Sequence, residues 1–252
     1  MTMITSLQQQ LDQRSDPKTK TWWERYLKHV IPFRGVKMAD IRAALHQWVR
    51  EEGIDRLPVQ EQKELALDLM RLNYTEDKLA GILFWQEILL PAGEVNWPDD
   101  LPAFAELFQQ GYIYDWNTCD WFCVRVLGPL AEQQGADGAH AIAAWRTAEP
   151  LWQRRAAAVG FVNLAKRGEA NFPGFTDMLL DACAPLVASP ERFAQTGAGW
   201  VLRELSLADE ARVVGFVEER IGQFTREGLA YATEKMAAET QARLKALHKA
   251  SK

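Results

Sequence analysis

Cysteine is scarce in this 252-residue chain, with only Cys119, Cys123 and Cys183. Three thiols cannot all pair with one another, so a reducing, cytoplasmic setting is expected. Cys119 and Cys123 stand four apart with no other soft ligand nearby, and they read as small core residues. The chain has no Cys-x-x-Cys, no His-Glu-x-x-His and no glycine-rich phosphate loop, so the common redox, zinc and nucleotide signatures are missing. Its four histidines (His29, His46, His140, His248) are scattered, whereas a metal site needs clustered ligands. No metal and no cofactor are therefore expected. No apolar run approaches the roughly 20 residues that span a bilayer, so no membrane partner is expected. The start, MTMITSLQQQLDQRSD, lacks a basic stretch followed by a long apolar one, so no secretory signal is expected. Net charge is −5, which taken alone argues mildly against nucleic acid; a binding face needs local basic charge rather than a basic total.

Period-2 runs are absent too, and no Asn-Gly or Asp-Gly hairpin signal lies between such runs. What fills the chain is helical periodicity. MADIRAALHQWVREEG puts Ile41, Ala44, Leu45, Trp48 and Val49 on one stripe, closed by Gly53. VQEQKELALDLMRLNY repeats the design with Leu65, Leu69 and Leu72, and TEDKLAGILFWQEILL starts at the cap candidate Thr75 and stops at Pro91. Similar segments follow, separated by short breaks carrying Gly, Pro, Asp or Ser. These patterns predict an all-α fold, a bundle or an α-solenoid. No composition shift marks a boundary, so 1–252 is expected as one domain, with 1–20 and 247–252 as frayed ends.

The segment DWNTCDW, Asp115 to Trp121, concentrates carboxylates among aromatics. Asp115 reads as a helix cap. Trp116 and Asp120 are four apart and share one helix face about one turn apart. A cap role does not explain Asp120, and an ion pair with an arginine is the ordinary alternative to catalysis. In LWQRRAAAVGF, Arg154 and Arg155 point about 100° apart, so one can face solvent while the other turns to a groove, where its planar fork suits phosphate; a surface ion pair is the ordinary alternative. In GAGWVLRE, Gly197 and Gly199 each weaken a helix by roughly 1 kcal/mol relative to Ala, a cost tolerated where something packs closely on the backbone. Trp200 and Arg203, three apart, fall on neighbouring surface, with Val201, Leu202 and Leu205 left for the core; an ordinary core tryptophan is the alternative reading of Trp200.

YLKHVIPFRGVKMADIR, WNTCD, LWQRRAAAV, GAGWVLRE and TREGLAYATEK occur in that order over more than 200 residues. With them the chain resembles the DNA alkylation repair enzymes of the AlkD-like family. The resemblance implies an α-solenoid, or superhelix, of HEAT-like helical repeats with a concave binding face. It also implies a DNA glycosylase acting on N-alkylated purines such as 7-methylguanine and 3-methyladenine. By this resemblance Asp120 is the catalytic carboxylate, Trp116 and Trp200 are cleft tryptophans, and Arg155 contacts phosphate. Tyr26 and Lys37 resemble further cleft residues, and Arg203 lies in the same motif as Trp200. The implied partner is double-stranded DNA carrying alkylated bases, bound by a monomer. Asn117 stands where an acidic residue is common in the family, and the acidic net charge is unusual for a DNA binder. Two other classes fit parts of the pattern: a non-catalytic solenoid that binds distorted DNA, and a HEAT-like protein-interaction scaffold.

Overall fold

A computed structural model describes residues 3–252, and every regular element among them is helical. The contacts cluster into two compact units, Met1–Trp121 and Phe122–Lys252.

The first unit contains α1 (Met3–Asp12), α2 (Pro17–Tyr26), α3 (Met38–Glu52), α4 (Val59–Arg71), α5 (Thr75–Phe84), α6 (Trp97–Gln109) and nearly all of α7 (Trp116–Phe122). α3 buries Ile41, Ala44, Leu45, Trp48 and Val49, the stripe its periodicity predicts, and Gly53 ends it in the left-handed conformation, φ 65°. α4 departs from expectation. Its buried face runs through Ala66, Leu67, Leu69 and Met70, while Leu65 and Leu72 are only half-buried. Lys63 turns inward as well and pairs with buried Asp100 at 2.8 Å, so a charged residue occupies part of the face that the leucine spacing had claimed. Thr75 does not cap α5: the flanking residue is Tyr74, and the Thr75 amide and hydroxyl both donate to Pro32 O.

Within residues 3–20, expected as part of a frayed end, α1 is packed while residues 12–20 are exposed or half-buried. Leu7 and Leu11 are fully buried, α1 lies against α3, and Trp48 Nε1 donates to Met3 O at 2.8 Å. Met1 and Thr2, expected to fray with them, lie outside the described residues. The other expected frayed end, 247–252, is tied down as well. His248 Nε2 lies 2.8 Å from Phe224 O, and Lys252 Nζ donates to Gly222 O at 2.9 Å.

The second unit contains α8 (Gly128–Ala143), α9 (Leu151–Val159), α10 (Val162–Ala165), α11 (Phe175–Ala188), α12 (Arg192–Leu205), α13 (Glu210–Glu219), α14 (Arg226–Thr233) and α15 (Ala238–Ala250). α12 is its hub, packing on α9, α11 and α14. The close packing needs glycine. A Cβ on Gly199 would sit 2.7 Å from both Gly228 O and Tyr231 Cβ, so α14 approaches the bare backbone of α12.

Two π-helical turns interrupt the α pattern, at Trp85–Leu89 and Cys123–Leu127. Each comes two residues before a proline, Pro91 and Pro129. Proline has no N–H for its i−4 carbonyl, and wider i→i+5 pairing in the turn before it, as in Leu90 N to Trp85 O at 2.9 Å, accommodates the loss.

Candidate active site

α7 carries Trp116 and Asp120, and its start is fixed by buried polar groups. Asp115 is 2% exposed, and its Oδ1 accepts from Thr118 N at 2.9 Å, the cap that the sequence predicts. Burial pushes the Asp115 carboxyl above its ordinary value, opposed by the amides of Thr118 and Asn117 and by Lys78. Lys78, on α5, is 1% exposed, and burial lowers its pKa to about 8. Its ammonium donates to Met70 O at 2.8 Å and to Tyr112 O at 2.9 Å. Those bonds join the end of α4 to the loop that launches α7. Asn117, Thr118 and Cys119 are buried, which leaves Trp116 and Asp120 half-buried on successive turns of one face.

Trp116 packs against the apolar cluster Leu27, Ile31 and Phe33. Tyr26 meets it edge-on, with ring centroids 5.6 Å apart and planes at 77°. The structure thus brings together two residues from distant parts of the sequence. Tyr26 also stacks on Trp22, at 5.1 Å and 14°. Trp22 was not singled out from the sequence, although its i, i+4 spacing to Tyr26 was a usable signal. Directly after Tyr26 and Leu27 the chain passes through two consecutive left-handed non-glycine residues, Lys28 (φ 53°) and His29 (φ 57°). Such backbone costs about 1–2 kcal/mol per residue.

Lys37 flanks the start of α3 and is exposed. The turn before it is held by Glu76, whose carboxylate accepts from the amides of Arg34, Gly35 and Val36 at 2.8–3.0 Å. Arg34 in turn pairs with fully buried Asp77 at 2.9 Å. The first turn of α5, read from sequence as a capped helix start, is therefore a buried charged clamp.

Arg155, Trp200 and Arg203 belong to the second unit. Arg154 is the more solvated of the arginine pair and binds Glu191 at 2.7 Å. Arg155 is only 4% exposed and donates from Nη1 to Phe193 O at 2.7 Å, tying α9 to α12. Gly197 makes room for it: a Cβ there would lie 2.6 Å from Arg155 Nη1. Trp200 is half-buried on α12. Arg203 pairs with Glu204 at 3.0 Å and Glu234 at 2.7 Å, so a phosphate there would compete with two carboxylates.

Residues 7–236 match the family described as DNA alkylation repair enzyme. The chain belongs to that family. A predicted DNA alkylation repair enzyme from Enterococcus faecalis has a similar solved structure, with TM-score 0.74 and 18% identity, over 89% of this chain and 98% of that one. At that identity the likeness shows a shared all-α fold. No curated protein sequence matches the chain. For this member of the DNA alkylation repair family, a role in DNA repair follows from membership. Among the described residues no helix is long and apolar enough to cross a membrane, and no group of three or more His, Cys, Asp or Glu side chains could hold a metal ion.

Proposed function

We propose that the protein is a DNA glycosylase that hydrolyses the N-glycosidic bond of cationic N-alkylated purines, 7-methylguanine and 3-methyladenine, in duplex DNA. The observation that carries the reading is the pairing on α7, in a member of this family, of half-buried Trp116 and Asp120, with Tyr26 braced against the indole. Alkylation at N7 or N3 makes the base a cation, so it leaves without protonation by a general acid. A two-carboxylate glycosidase scheme then reduces to one carboxylate. As C1′–N breaks, its electron pair goes to the base and positive charge develops on the sugar. The Asp120 carboxylate stabilises that charge, orients the water that adds at C1′ and accepts the proton that water loses. The face of Trp116 adds cation–π stabilisation, and Trp200 is assigned to the DNA-binding surface of the second unit.

Arg155 is assigned to a backbone phosphate, and Tyr26 and Lys37 to the DNA surface near α7. Arg203 takes part by exchanging a carboxylate partner for phosphate. A lesion held through its backbone and not tightly enclosed leaves room for bulky adducts, while neutral lesions react poorly for want of leaving-group activation.

The test is release of methylated bases from methylated duplex DNA by wild type and Asp120→Asn. The variant is expected to be slower by about 100-fold or more. Equal rates would remove Asp120 from the chemistry, and no release by folded wild type would remove the glycosylase.

A further inference from the structure

We infer that the outer face of α2 is a stacking platform for an unpaired nucleobase, with Trp22 as the residue that contacts it. Trp22 is 58% exposed and Tyr26 54%, which is far more than large aromatics show when they serve a core. Their rings are nearly parallel, so Tyr26 backs Trp22, and Tyr26 itself rests edge-on against Trp116. The aromatic path therefore runs from the α7 face to the surface without a break.

Charge selects the occupant. Residues 17–37 hold six lysines and arginines against one acidic residue, Glu24, while the whole chain is at −5. The remaining residues thus carry −10, and this segment is a local exception to an acidic protein. Arg34 is committed to Asp77, and Lys20 lies 3.8 Å from Glu24. Lys18, Arg25 and Lys28 make no ion pair among the described residues, and Lys37 interacts at longer range with the Asp16 carboxylate. Lys18, Trp22, Arg25 and Tyr26 follow at helical spacing along one exposed face. A nucleotide offers both things this face asks for, a flat π surface and an anionic phosphate. An apolar protein surface would have to desolvate the cationic rim. The inference rests on DNA as the ligand and not on base excision.

The experiment measures binding of two labelled duplexes by fluorescence anisotropy. One is fully paired, and the other is identical except for one unpaired thymidine. Wild type is expected to prefer the bulged duplex. Trp22→Ala should lose about 5- to 150-fold on the bulged duplex and little on the paired one, with Trp22→Phe recovering most of it. Lys28→Ala should weaken both duplexes alike. Circular dichroism melts check that the variants fold. An unchanged preference in Trp22→Ala overturns the platform. So does a Trp22→Ala effect confined to a concentration-dependent self-association seen by sedimentation, which would make the face a contact between copies. If the preference behaves as expected while no methylated base is released, the platform stands and the glycosylase falls.

Discussion

Gly197 and Gly199 sit two residues apart on α12 and should respond differently to the same methyl group. Gly199 faces backbone, Gly228 O, and the Cβ of Tyr231, neither of which moves without shifting α14. Gly199→Ala should destabilise by about 1–3 kcal/mol through overpacking, less the roughly 1 kcal/mol that alanine returns to a helix. Gly197 faces chiefly the end of the Arg155 side chain, which can swing. Gly197→Ala should lower the urea midpoint only through the lost hydrogen bond from Arg155 to Phe193 O, offset by what alanine returns to the helix, and its signature should be weaker DNA binding. A large midpoint loss in Gly197→Ala with no change in binding would detach Arg155 from the DNA. The sequence made these glycines legible as sites of close approach, because helix interiors rarely keep two. It did not reveal what approaches, since Arg155 and Tyr231 come from other helices.

At the scale of the helix, the first turn of α5 is where sequence reading went furthest astray. Thr75, Glu76, Asp77 and Lys78 look like a solvated start, yet all four are at most 1% exposed. Local pattern cannot show that Glu76 will meet the amides of residues 34–36, or that Lys78 will meet Tyr112 O. Lys78 gives this helix a pH signature. Its folded pKa of about 8 lies below the ordinary 10.5, so between those values the unfolded chain binds more protons than the folded one. The Lys78 contribution to stability is then fully present above 10.5 and is lost as pH falls through 8, a swing of roughly 3 kcal/mol at most. Urea melts across that window should show an alkaline gain in wild type relative to Lys78→Met. Parallel curves would mean that Lys78 keeps its ordinary pKa in the fold. The α4 stripe failed for a related reason: leucine spacing cannot anticipate that Lys63 will be drawn inward by Asp100.

For the molecule as a whole, an acidic total and a DNA partner are reconciled by where the positive charge is placed. If Lys18, Arg25, Lys28 and Lys37 each neutralise one phosphate, the logarithm of affinity should fall against the logarithm of salt with a slope of about −3 to −4. A slope near zero, measured by titration at several salt concentrations, would count against the DNA surface. The all-α class was readable throughout, because helical periods and Gly- or Pro-bearing breaks are local signals. The border between the two clusters of contacts falls inside α7, where no loop or change of composition marks it in the sequence. The π turn that follows has a consequence for comparing relatives. It takes up one residue more than a regular turn, so a helical wheel drawn from Trp116 onward loses phase by about 100° beyond Leu127. Positions on either side of it keep separate phases, and a relative with one residue fewer there would still present the same faces on α7 and α8.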